Sequence, residues 1–185
     1  NKKLQKIEEP EKIIRSDWRK KIKMSFSAPS IWNVPENSEK IFPELNPKNF
    51  GNIIHTAFSR IEKPDDTSNV LKKMVDDGLI EKDSIPKIYK TIKDTLSLNP
   101  INEIWNSGIH IIEKEIITKD GNSYRPDRII QKNDTTYLID FKTGEEKKID
   151  KEQISNYKNL LKQLKFKNIN CFLIYTDKAL CIKVI

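Results

Sequence analysis

The sequence has 185 residues, 36% hydrophobic and 33% charged, with 34 Lys+Arg against 27 Asp+Glu for a net charge of +7. A chain of that length holds one ordinary domain with a core that needs no staples, and its basic balance suits a polyanionic partner, although a lysine-rich solvated surface accounts for the charge equally well. Two cysteines, Cys171 and Cys181, are too few for a four-cysteine zinc or iron–sulfur site, and no apolar run approaches the ~20 residues that span a bilayer.

In chain order, residues 1–45 read as a basic linker with short N-terminal elements. They carry a cluster at Arg19-Lys20-Lys21 and Lys23, and then the breakers Pro29, Pro35, Asn37-Ser38 and Pro43. From residue 46 the pattern is that of a folded domain. Phe50, Ile53, Ile54, Ala57, Phe58 and Ile61 recur at helical spacing, with Asn46 as the cap, Pro47 in the first turn and Pro64 as the stop. Val70, Leu71, Met74 and Val75 predict a second helix near 67–77. Ile85, Ile88, Ile92 and Leu96 predict a third near 83–97, with the Asp77-Gly78 turn between them.

The period then changes. Ile109 to Thr118 is β-branched and apolar, Asp120-Gly121 signals a hairpin, and Ser123 to Gln131 reads as a second strand. After Asn133-Asp134, Thr135 to Lys142 is a third strand closed by Gly144. Ile149 to Lys165 is a helix with Ile154, Tyr157, Leu160, Leu161 and Leu164 on one face, and Asn168 to Tyr175 and Ala179 to Val184 are the last two strands. Helices, three antiparallel strands, a helix and two more strands make an α/β domain with a mixed sheet. The two cysteines fall in those last apolar strands, and no signal peptide is visible, so the expected setting is cytoplasmic with reduced thiols.

Side chains alternate along a strand, so Tyr137, Ile139 and Phe141 share one face of the third strand while Leu138, Asp140 and Lys142 share the other. Taken alone, Asp140 and Lys142 are a strand-end ion pair. Asp127, in Tyr124-Arg125-Pro126-Asp127-Arg128, falls across from Asp140 once the Asn133-Asp134 turn is made. Two carboxylates on one sheet face repel unless a cation neutralises them, and hard oxygen ligands suit Mg2+ or Mn2+. Lys142, aimed at the same centre, would orient or deprotonate a water, or steady the charge of a phosphoryl transition state. Glu113 and Glu115, expected on one face of the preceding strand, are alternatives for a further acid. His55, one turn after Gly51 on the flank of the first helix, reads by itself as a surface residue but is a candidate ligand. His110 has no partner pattern. Gln153 and Tyr157 stack four apart on the apolar face of the last helix.

In order, Gly51-x-x-x-His55, Glu113, Arg125-Pro126-Asp127-Arg128, Asp140-Phe141-Lys142-Thr143-Gly144 and Gln153-x-x-x-Tyr157 resemble the RecB-like branch of the PD-(D/E)XK nucleases over residues 46–184. The resemblance implies a restriction-endonuclease-like mixed sheet flanked by helices, with a helical insertion after the histidine helix, and a nuclease domain over 46–185. It implies Mg2+-dependent hydrolysis of DNA phosphodiesters, with exonuclease favoured over endonuclease and Mn2+ able to substitute. Asp127, Asp140, His55 and the carbonyl of Phe141 would be metal ligands, and Lys142 the catalytic lysine. Glu113, with Glu115 as the alternative, would be the upstream acid, and Gln153 and Tyr157 would lie near DNA. Basic residues near 19–23 and 147–167 would line its path. The family's iron–sulfur variant needs four cysteines and is not expected. The nearest flavour is the C-terminal nuclease domain of a helicase–nuclease in double-strand break repair; the first residue, Asn1, fits a piece of such a polypeptide. A catalytically inactive scaffold of the same fold, and a stand-alone restriction or mobile-element nuclease, are the alternative expectations.

Overall fold

Pro47 begins the first described element with its fixed φ and missing N–H, both suited to a helix start. The structure is a computed structural model that describes residues 47–106 and 108–184. The expected basic linker, including the cluster at 19–23, lies outside the described residues.

Helix α1 (Pro47–Arg60) buries Phe50, Ile53, Ile54, Ala57 and Phe58, with Ile61 just beyond it. Pro64 opens a 3-10 turn that leads into α2 (Thr67–Asp76), and α3 (Ile85–Leu96) follows. Both lie within two residues of the bounds that hydrophobic spacing predicts. A short helix, α4 (Ile101–Trp105), was not expected; five residues are too few to display a period, although Ile101, Ile104 and Trp105 are all buried.

The main sheet has five strands: β1 (Ile109–Ile112), β4 (Arg128–Lys132), β5 (Thr135–Lys142), β6 (Ile169–Tyr175) and β7 (Leu180–Val184), in the order β1-β4-β5-β6-β7. All neighbours are antiparallel except β5 and β6. Helix α5 (Lys148–Gln163) joins that parallel pair, as a parallel connection requires a crossover element. The central strands β5 and β6 are covered on both faces. Ile130, Ile139, Phe141, Phe172 and Ile174 pack with α1 to α4, while Ile129, Leu138, Cys171, Leu173 and Tyr175 pack with Ile154, Tyr157, Leu160 and Leu161 of α5. The result is a mixed α/β fold with a five-stranded sheet flanked by helices. Among the described residues no helix is long and apolar enough to cross a membrane.

Two strands expected to be continuous are broken. The segment Ile109–Thr118 stops pairing at Ile112, and Glu113 turns the chain at φ 44. The segment Ser123–Gln131 is interrupted at Arg125-Pro126-Asp127, where Pro126 has no N–H to give to a ladder. The displaced pieces, β2 (Ile116–Ile117) and β3 (Ser123–Tyr124), form a separate two-stranded sheet. Glu113 and Glu115 therefore do not alternate along one strand.

Candidate functional site

The break before β4 places Asp127. Arg128 pairs with Ile139, so the residue before Arg128 comes opposite Asp140, as the turn at Asn133-Asp134 predicts. The Phe141 N–H donates to Asp127 Oδ2 at 2.8 Å, and the Asp127 carbonyl accepts the Glu113 N–H at 3.0 Å. The bent segment at Glu113 thus holds the Asp127 turn against the end of β5. Glu113 itself turns its carboxylate to Arg125, 3.8 Å away. Glu115 accepts the hydroxyl of Ser123, on the β2–β3 sheet. The described contacts bring neither glutamate onto the carboxylates, but they tie the backbone of Glu113 to Asp127.

Asp140 lies on the α5 face of β5 and is only 2% exposed. Burial, reinforced by the charge of Asp127, pushes its carboxyl up to about 6, against the pull of Lys142 and His55. The Lys142 ammonium sits 2.7 Å from Asp140 Oδ2, a charge-assisted contact that is the one side-chain partner of this buried oxygen among the described residues. Lys142 Nζ donates to Gln153 Oε1 at 2.7 Å, and Gln153 Nε2 contacts Tyr157 Oη at 3.0 Å. The four-residue spacing on α5 thus forms a relay that begins at Asp140 and ends at Tyr157. Burial disfavours the lysine charge, but Asp140 and Asp127 outweigh it, and the Lys142 pKa is raised. Lys142 is therefore a cation at neutral pH.

Helix α5 is held at its start by Asp150, which accepts the Lys147 N–H at 3.2 Å and the buried Tyr175 hydroxyl at 2.8 Å. Helix α1 supplies His55, whose Nδ1 lies 3.4 Å from Asp127 Oδ2. Burial opposes protonation of His55, but the hydrogen bond and charge of Asp127, with the charge of Asp140, raise its pKa overall. The helix reaches this position through close packing. A Cβ on Gly51 would meet Thr143 Oγ1 at 2.8 Å, and Phe58 stacks on Phe141 with ring centroids 4.1 Å apart.

The expected residues thus meet at the end of β5: His55, Asp127, Asp140, Lys142, Gln153 and Tyr157. Phe141 contributes its N–H to Asp127. The donor chemistry suits a hard divalent cation, because the charges of two carboxylates, Asp127 and Asp140, act on each other there. Among the described residues, however, no three His, Cys, Asp or Glu side chains are already grouped as a cation cage. Of the basic residues expected to line a polyanion's path, Lys148, Lys151, Lys162 and Lys165 are exposed on α5 or just after it.

A second buried cluster has no sequence signal. Arg128, beside Asp127, is fully buried. Its guanidinium donates to the carbonyls of Phe58 and of Ile61, the latter at 2.8 Å, and so caps the end of α1. It lies 4.1 Å above the Trp105 ring, and its Nη1 is 2.6 Å from His110 Nδ1. A guanidinium only donates, so Nδ1 must accept, which leaves Nε2–H to donate to the Trp105 carbonyl at 2.9 Å. Burial and the Arg128 charge accordingly lower the His110 pKa. Arg128 lies 18 to 70 residues from these partners in sequence, so no local pattern marks its pairing with His110.

No family model matches the chain, and no curated protein matches it. Among solved structures it is similar to the one titled "Crystal structure of SSO0001", at 18% identity and a TM-score of 0.30, over 70% of this chain and 65% of that one. A likeness of that size carries nothing about fold or function.

Proposed function

We propose that this chain is a Mg2+-dependent deoxyribonuclease with a restriction-endonuclease-like core of the RecB-like kind, working from DNA ends beside a helicase region in double-strand break repair. The observation that carries the reading is the buried Asp140, its carboxyl pushed up by burial and by the charge of Asp127, with the Lys142 ammonium 2.7 Å away. A buried carboxylate under the charge of a second, half-buried one is relieved by a cation.

In this reading Asp127 and Asp140 hold Mg2+, with His55 and the Phe141 carbonyl as further ligands. When bound, the ion supplies positive charge against the phosphate oxygens and acidifies water. The protein's own groups do the positioning. Lys142, charged and fixed between Asp140 and Gln153, steadies negative charge that develops on the phosphoryl group. Gln153 holds that ammonium, and Tyr157 holds Gln153. Glu113 fixes the Asp127 turn through its backbone N–H and keeps the sequence position of the upstream acid, with its carboxylate on Arg125.

The test is digestion of linear and covalently closed DNA by the wild type and by Asp140→Ala, with Mg2+, Mn2+ or EDTA. The expected result is loss of linear DNA with either metal, none with EDTA, and a variant slower by roughly 100-fold or more, the size of effect that follows removal of one stabilising group. A wild type inert with both metals, or a variant that cuts equally well, overturns the reading. Binding of DNA without cleavage would instead favour an inactive scaffold.

A further inference from the structure

Past Lys142 the chain enters a groove that the site as described does not use. Thr143 and Gly144 form one wall, Lys48 and Phe50 in the first turns of α1 form another, and Lys87 and Thr91 of α3 form the third. The cavity is ≈ 430 Å³, within the range of binding clefts. Lys87 and Thr91 are four apart and share one helix face. The Lys87 ammonium sits over the Phe50 ring, 4.8 Å from its centroid, a cation–π contact that fixes the charge on the groove wall.

Among the described residues no carboxylate pairs with Lys48 or Lys87. The single acid on the lining, Asp177, already accepts the Gly144 N–H at 3.0 Å. Two ammoniums face one committed carboxylate, and the Thr91 and Thr143 hydroxyls can donate beside them. Scattered surface lysines are usually only solvated. These two instead share a concave wall that continues, residue to residue, from Lys142. A partner matched to that wall has negative oxygens at regular intervals, and one of those oxygens must reach the end of β5.

We propose that this groove is a backbone subsite for the DNA strand, in which Lys48 and Lys87 hold phosphates that flank the one presented to Asp140 and Lys142. The inference rests on the nuclease reading above and adds to it the direction in which the strand leaves the site, along α1 and α3.

The experiment is a salt titration of binding by the full chain, in EDTA so that no cutting occurs, read by fluorescence anisotropy of a labelled single-stranded DNA oligonucleotide. The variant K48Q/K87Q removes both charges but keeps the aliphatic stems. K72Q/K73Q, on the exposed side of α2, removes the same charge elsewhere. Each single-strand phosphate contact adds about 0.7 to the slope of log affinity against log salt. K48Q/K87Q should therefore lower the slope by about 1.4 and weaken binding about 25-fold at 0.1 M salt, while K72Q/K73Q leaves both near wild type. An unchanged slope in K48Q/K87Q, or an equal drop in both variants, overturns the subsite. The two readings fail separately. Cleavage by the wild type with an unchanged K48Q/K87Q slope sinks the subsite alone. A slope lowered as expected in a protein that never cuts upholds the subsite on an inactive module. A wild type that binds no DNA sinks both.

Discussion

Replacing Asp140 by Asn should stabilise the metal-free protein. Asp140 is 2% exposed, and burial beside Asp127 lifts its carboxyl to about 6 from an ordinary value of 3.8. A displacement of roughly two units corresponds to about 3 kcal/mol of penalty on the ionised form. The folded chain keeps this proton over a range in which the unfolded chain has lost it. Stability therefore falls as pH rises from about 4 to about 6, and levels off above that. Asparagine is nearly isosteric and does not titrate. The pull of Lys142 is already contained in that displacement, so the net stabilisation at pH 8 should be about 2–3 kcal/mol. For a domain of this size that is a rise of roughly 4–12 °C in Tm. The assay is thermal unfolding of both proteins in EDTA at pH 4 and pH 8. The gap should be small at the lower pH and open at the higher. Excess Mg2+ should then raise the wild type and leave Asp140→Asn where it was. An asparagine variant less stable than wild type at pH 8 in EDTA, or a gap that ignores pH, refutes the reasoning.

Three further outcomes follow from the packing. Arg128→Met strands the Phe58 and Ile61 carbonyls and His110 Nδ1, at about 1–3 kcal/mol for each buried group, offset in part by removal of a desolvated guanidinium. A net loss of roughly 2–4 kcal/mol should lower the urea midpoint, and an unchanged midpoint contradicts the capping role. Gly51→Ala should gain nothing in the wild type, because its Cβ meets Thr143 Oγ1 at 2.8 Å, but should stabilise a Thr143→Ala background by up to ~1 kcal/mol through helix propensity. Equal effects in the two backgrounds would mean that the contact is absent. Burial raises the Cys171 thiol and pushes that of Cys181 up to about 11, so a disulfide reagent at pH 8 should label the native chain slowly and the urea-unfolded chain quickly. Fast native labelling of either cysteine would contradict their placement in β6 and β7.

The strand that carries the site was legible because its local signals agree. Thr135 to Lys142 is an apolar run between a turn and Gly144, and β5 has those bounds. Its alternation also separates Ile139 from Asp140 onto the two covered faces, and the turn at Asn133-Asp134 brings Asp127 across. What escaped depends on non-local geometry. Pro126 and Glu113 each break a segment whose composition is uniformly strand-like, and the two breaks are related through contacts across the chain, the hydrogen bond from Glu113 to Asp127 and the ion pair of Glu113 with Arg125. Arg128 looks like one more surface charge until its contacts with α1 and α4 are seen, and His110 becomes a partner only through it. The two glutamates could not be ranked because their spacing assumes a strand that does not exist there. The groove at Lys48 and Lys87 joins residues from two helices and a strand end, and no linear pattern marks it.

The central claim is that Asp127 and Asp140 together hold the ion that a phosphodiester needs. A crystal of the full chain soaked in Mn2+ and measured at the manganese absorption edge tests it most directly. An anomalous peak between the two side chains, within about 2.5 Å of a carboxylate oxygen of each, is the predicted result. Manganese bound elsewhere, with no peak between Asp127 and Asp140, would contradict the account.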